Sequence, residues 1–194
     1  MRTKVSIFTA LMMWIGVSCF AQEVENRWGV ELSIGSSFTT EKPGGISVKT
    51  GLGSELILHY RFLPHWSAYT GWGYMRYSAK GSFGGSDLHL EETGYRLGLQ
   101  FTHPLGQLPI AWYVRAGGLF NHIEAEQDGD IVADTHHGPG WQLGAGLECT
   151  LGSGWSLTPG ISMNHFSKEM EFNQVDTPVD LREITLRVGV LKRF

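Results

Sequence analysis

Apolar and polar residues alternate with period two over most of this chain. The pattern is cleanest at the end, where Ile184, Leu186, Val188 and Val190 hold one parity and Glu183, Thr185, Arg187 and Gly189 the other. Side chains two apart share a strand face, so residues 182–194 predict a strand with one apolar and one polar side. The last residue, Phe194, falls on the apolar parity. Similar stretches lie at 27–37, 51–62, 66–79, 88–102, 109–123, 140–151 and 155–167, which makes eight predicted strands. Trp28, Val30, Leu32 and Ile34 alternate with Gly29, Glu31, Ser33 and Gly35 in the first of them. Tyr95, Leu97, Leu99 and Phe101 alternate with Gly94, Arg96, Gly98 and Gln100 in the fourth.

The connections between these strands run long, short, long, short, long, short, long. Lys42-Pro43-Gly44-Gly45 breaks a long one, and Gly152-Ser153-Gly154 is a minimal short one. An antiparallel up-and-down barrel with long loops at one end and tight turns at the other has this rhythm. The bulky apolar parity stands against one of Gly, Ser and charge. Eight strands enclose room for modest side chains only, so the small and charged face points inward and the apolar face outward, toward lipid. A soluble ligand-carrying barrel has the same strand count with these faces reversed. Trp28, Trp66, Trp141, Trp155 and Phe194 sit near strand ends, as interfacial girdles do. Arg76 and Lys192 share the outward parity but lie near strand ends, where they can snorkel. Pro159 conflicts with a closed ladder, and a local bulge is expected there.

Residues 1–21 have the form of a secretory signal peptide. Arg2 and Lys4 precede an apolar run from Ile7 to Val17, and Cys19-Phe20-Ala21 offers a cleavage site before Gln22. A membrane-spanning helix needs about 20 apolar residues, more than this run supplies. Lipoprotein processing at Cys19 would place Gly16 where Leu is usual. Residues 22–194 then form one barrel domain. The whole chain carries a formal charge of -4, and losing Arg2 and Lys4 makes it more acidic, which argues against nucleic acid. Of the two cysteines only Cys149 survives cleavage, so an intramolecular disulfide and a cysteine-based metal site are both excluded.

The phrases Tyr69-Thr70-Gly71-Trp72-Gly73-Tyr74, Trp112-Tyr113-Val114-Arg115-Ala116-Gly117, Leu143-Gly144-Ala145-Gly146-Leu147 and the end from Val188 to Phe194 carry a family resemblance. The chain resembles small bacterial outer-membrane β-barrel proteins of the OmpX and OmpA-barrel kind, and above all the outer-membrane β-barrel domain common in Bacteroidetes. That resemblance implies an all-β transmembrane barrel in the outer membrane with both termini in the periplasm. It implies contact with lipid and lipopolysaccharide, and a last strand, ending at Phe194, that the outer-membrane assembly machinery reads. It names no extracellular partner and no cofactor. The fold hosts adhesins, anchors and enzymes alike, so function must come from sites.

Three constellations are candidates. The inward parity sets Glu31, Glu55, Glu148 and Glu183 against Arg61, Arg96, Arg115 and Arg187. The signs balance, and buried ions must pair, so these residues predict an ionic plug rather than a selective pore. The acidic loop with Asp128, Asp130, Asp134, His136 and His137 holds ligand-type side chains, but their spacing matches no metal motif, and a solvated loop is expected. His165 and Ser167 lie two apart on the outward parity at the loop end of the seventh strand. A base beside a hydroxyl is the minimum for a serine nucleophile. Residues 143–167 also resemble the equivalent part of lipid A 3-O-deacylases, which implies a His-x-Ser pair with a nearby Glu. Glu183 is the nearest candidate although its parity is inward; Asp180 has the right parity but lies at a loop edge. Lys168 stands where that family usually has Asn. The competing reading is a polar girdle at the membrane interface.

Overall fold

A computed structural model describes residues 26–41, 48–78, 88–127, 130–172 and 175–194. The expected signal peptide, the breakers at 42–45, residues 79–87 and Asp128 lie outside the described residues. The strands are β1 (Trp28–Thr39), β2 (Gly51–Leu63), β3 (Trp66–Ser78), β4 (Leu88–Pro104), β5 (Ile110–Gln127), β6 (Asp130–Asp134), β7 (Gly138–Gly152), β8 (Trp155–Phe172) and β9 (Val175–Arg193). Each long strand pairs antiparallel with the next, β5 with β7, and β9 with β1. The eight long strands therefore close an up-and-down barrel. Trp28 and Phe194 seal the seam by donating backbone N–H groups to each other's carbonyls, at 3.1 and 2.9 Å. Both ends of the described chain lie with the tight turns, here called the turn end. Positive φ at Gly152, Ser153 and Gly154 makes the shortest of those turns possible.

Three expectations are corrected. The region 168–179, expected as a connection between the predicted strands at 155–167 and 182–194, is instead a continuation of the β8–β9 hairpin, paired in register from Lys168↔Val179 to Phe172↔Val175. The acidic loop is partly strand: β5 runs on to Gln127, and β6 folds back on it. Pro159 makes no bulge. The β7–β8 register is the same on both sides of it, from Gly146↔Gly160 to Cys149↔Leu157, with the rungs between simply absent. Opposite β9 the ladder passes through Pro159↔Val188 unbroken.

The barrel has two interiors. Through the apolar band the inward side chains are polar and buried, among them Glu31, Glu55, Arg96, Gln100, Arg115, Gln142, Glu148 and Arg187. Toward the loop end the parities exchange roles. Met75, Tyr77, Leu90, Ile123, Phe166 and Leu181 now point inward and form an apolar cluster. Their outward neighbours are Arg76, Glu91, His122, Glu124, His165 and Arg182. The exchange falls between Tyr95 and Thr93 on β4 and between their ladder partners Phe120 and His122 on β5, and likewise between Met163 and His165 on β8 and their partners Ile184 and Arg182 on β9. Ten residues separate Trp155 at the turn end from His165. At about 3.3 Å per residue and a tilt of about 40° they rise roughly 25 Å, the height of an outer-membrane apolar band. The exchange lies where the loop-end edge of an apolar band of that height would fall.

Candidate functional site

Within the band the lumen is filled by paired ions. Glu31 accepts from Arg115 at 3.2 Å, from His59 Nε2 at 2.9 Å and from Thr158 at 2.8 Å. Glu55 accepts from Arg96 and, at 2.6 Å, from Arg187. Glu148 is gripped by the Arg193 fork at 2.8 and 3.1 Å. The Arg115 guanidinium also lies over two rings, 5.5 Å from the centroid of Tyr69 and 4.8 Å from that of Tyr113. These rings fit because glycines face them. A methyl group at Gly98 or Gly117 would strike the Tyr69 hydroxyl, and one at Gly146 or Gly160 the Tyr113 hydroxyl. Nearer the loop end, two carboxylates are held by neutral donors. Glu92 accepts from Asn121 at 2.6 Å, and Glu183 accepts from Tyr77, from Ser37 at 2.6 Å and from Asn164 at 2.6 Å. In hydrocarbon surroundings every such group must find its partner inside the protein.

Outside the barrel, at the lipid edge, His165 and Ser167 share the outward face of β8. Glu183 is not with them: it is buried in the lumen on the opposite face. The carboxylate that reaches His165 is Asp180, whose Oδ1 lies 3.2 Å from Nδ1. Asp180 stands directly across the ladder from Ser167. The contact has ion-pair distance without hydrogen-bond alignment. No hydrogen bond joins Ser167 to His165 among the described residues. Arg182 shares Asp180 at 3.4 Å and reaches Glu41 at 3.2 Å, and the Trp141 ring centroid lies 5.6 Å from that of His165. Further round the rim, His122 Nδ1 lies 3.1 Å from His137 Nε2, and His136 lies 3.3 Å from Asp134. Asp130 is exposed at the start of β6. Among the described residues no group of three or more His, Cys, Asp or Glu is placed to hold a metal.

The outer membrane protein beta-barrel domain matches residues 7–193. The chain belongs to that family. It is therefore an outer-membrane β-barrel protein of the Gram-negative envelope. A search of curated proteins finds no match. Among solved structures, the barrel is similar to Neisserial surface protein A (NspA) at 18% identity, covering 89% of this chain and 100% of that one with a TM-score of 0.62. It is similar to OprG from Pseudomonas aeruginosa at 12% identity, covering 86% and 95% with a TM-score of 0.58. Ail, the attachment invasion locus protein of Yersinia pestis, is 15% identical, with 88% and 100% covered and a TM-score of 0.52. At these identities the likeness is one of fold.

For this outer-membrane barrel, the inward set read from parity left out three side chains that face the same interior. Glu92 is inward on β4, four residues before Arg96; Arg193 is inward on β9, six residues after Arg187; and His59 sits beside Glu31. Each lies on the polar parity of its strand, so strict period-two counting to the strand ends would have found them. With Glu92 and Arg193 added, the lumen holds, among the described residues, five carboxylates, at 31, 55, 92, 148 and 183, and five arginines, at 61, 96, 115, 187 and 193. Asp180 has the right parity but falls at the edge of a predicted loop. Its contact with His165 depends on the β8–β9 register, which one sequence does not display.

Proposed function

We propose that this protein is a non-conducting outer-membrane barrel that works at the outer surface through its loop-end structure, with both termini in the periplasm. The exchange of polarity at the rim supports this reading most directly. Strands that only had to span lipid could stop there. These continue, gather an apolar core of their own and carry a charged face beyond the membrane, as a water-exposed β domain does. The ion pairs within the band supply a plug, since eight strands leave little free lumen once such side chains are inside. The rim faces lipopolysaccharide, and Phe194 offers the last strand to the assembly machinery.

The test separates the two halves. Cells lacking the protein are complemented with wild type or with Leu90→Asp, which places a charge in the loop-end core and spares the lumen. Surface adhesion and exclusion of large antibiotics are measured. Wild type should restore both, and Leu90→Asp, still inserted, should restore neither. Full rescue by an inserted Leu90→Asp defeats the proposal. Steady ion-selective conductance of the wild type in planar bilayers would defeat the plug. For orientation, Ile131→Cys in a Cys149→Ser background should react with an impermeant thiol reagent on intact cells, and Ser153→Cys should not.

One observation favours a second reading, an outer-leaflet lipid esterase. Asp180 lies within ion-pair distance of His165 on the face that carries Ser167. In that reading the Ser167 hydroxyl attacks a lipid ester carbonyl and His165 takes its proton. Asp180, rather than Glu183, orients the imidazole. The proton passes to the departing alcohol, and water then releases the acyl group. Mass spectrometry of lipid A decides: an acyl chain lost with wild type and retained with Ser167→Ala supports it, and identical spectra remove it.

A further inference from the structure

The turn end carries an open cleft of about 220 Å³ that neither reading above uses. Its walls come from the β2–β3 and β4–β5 turns, with Pro64, Pro104 and Pro109 among the lining residues. These walls are pinned by hydrogen bonds. Thr102 N donates to the His65 carbonyl and His65 Nδ1 to the Thr102 carbonyl, both at 2.8 Å. Leu105 N donates to Ile110 O at 2.9 Å, and Thr150 N to Pro109 O at 2.8 Å. Prolines and closed backbone bonds make a preformed cavity, which loses little freedom when filled.

Two ionic groups line the cleft, and they differ in one respect. Glu148 is committed, with Arg193 holding both oxygens and Ser156 donating at 3.4 Å. Arg61 is not. Arg96, Arg115, Arg187 and Arg193 each have a carboxylate within 4.0 Å; Arg61 alone among the lumen arginines has none among the described residues. A half-buried guanidinium with its fork unengaged fits a planar or tetrahedral oxyanion, which it can grip with two parallel N–H bonds. The rest of the lining is mixed, with Leu108, Ile110, Ala111 and the prolines on the apolar side and His65, Thr102 and Thr150 on the polar side. A cavity of about 150 Å³ accepts a benzene ring, so this one has room for a ring and an anionic group.

We infer that the turn-end cleft is a binding site for a small amphipathic organic anion, a carboxylate or a phosphate ester on a short apolar body. Arg61 takes the oxyanion, and the proline-lined wall with Ile110 packs the apolar part. The site stands independently of what the loop end does.

The experiment is a fluorine NMR titration of the barrel refolded in lipid nanodiscs. The probes are 4-fluorobenzoate and 4-fluorophenyl phosphate, with 4-fluorobenzyl alcohol as the uncharged control. At least one anion should bind saturably where the alcohol does not, and the stronger of the two tells carboxylate from phosphate. Arg61→Gln should weaken that binding at least about tenfold, the loss expected for a charge-assisted pair. Leu108→Trp, which fills the cleft and leaves Arg61 in place, should weaken it comparably. Heat-modifiable migration and β-sheet circular dichroism confirm that each variant is folded. Anions that bind no better than the alcohol overturn the site. So does a folded Arg61→Gln or Leu108→Trp that binds as wild type does.

Discussion

Along β4, Leu97 and Leu99 face outward while Arg96 and Gln100 face inward; near the start of the same strand, Leu88 and Leu90 face inward while His89 and Glu91 face outward. The backbone is continuous, and the ladder with β5 runs in one register from Leu88↔Gln127 to Pro104↔Ala111. Only the medium around it changes. Where lipid surrounds the barrel, apolar groups gain nothing by hiding inside, and polar groups must be satisfied there. Where water surrounds it, burial of apolar area drives the inside again. The two regions differ also in what holds them. The band relies on directed ion pairs, whereas the loop end relies on non-directional packing of Leu90, Ile123, Phe166 and their neighbours.

The largest effect should come from the lumen. Arg115→Ala strips Glu31 of its guanidinium and empties the space between Tyr69 and Tyr113, and should cost about 3–5 kcal/mol in urea unfolding from lipid vesicles. A loss below about 1 kcal/mol would mean that the network is wet and weak. Next is a charge moved across the rim. Ile34→Arg, at an outward position 70% exposed to the surroundings and opposite Val188, should cost about 2–4 kcal/mol in the same assay. Thr93→Arg, just beyond the exchange, should cost about 0–1 kcal/mol. Equal costs at the two sites would misplace the lipid edge. Ile123→Val in the loop-end core should cost about 0.5–1.5 kcal/mol, well below the Ile34→Arg loss. If that region is a packed core rather than a loose cap, its amides on β5 should also exchange faster in the variant.

The same contrast explains what could be read in advance. The band was legible because lipid enforces one rule on every strand, so parity alone assigned Glu31, Arg96 and Arg187 to the lumen. The loop end was not. In Glu124-Ala125-Glu126 the alternation persists with its meaning reversed, and two carboxylates around a small residue look like a loop when they are in fact a strand with Ala125 turned in. Pro178 likewise suggests a break, yet it pairs with Glu169 near the tip of the β8–β9 hairpin. At the candidate rim site, parity rightly separated Glu183 from His165, but choosing Asp180 required the register of a neighbouring strand. The unengaged state of Arg61 was beyond sequence altogether, because it depends on which carboxylate each arginine reaches.

Pro159 has a consequence for motion. Between Gly146↔Gly160 and Cys149↔Leu157 the β7–β8 seam lacks rungs that the β8–β9 seam keeps. A proline has no N–H to lend, and hydrocarbon offers no substitute donor for the carbonyl it leaves waiting. Parting β7 from β8 at that height therefore breaks fewer bonds than parting any fully laddered neighbours. If the wall of this cylinder breathes within the lipid, it should do so there first, as a local slit beside Leu147 and Leu157 rather than as a loosening of the whole ring.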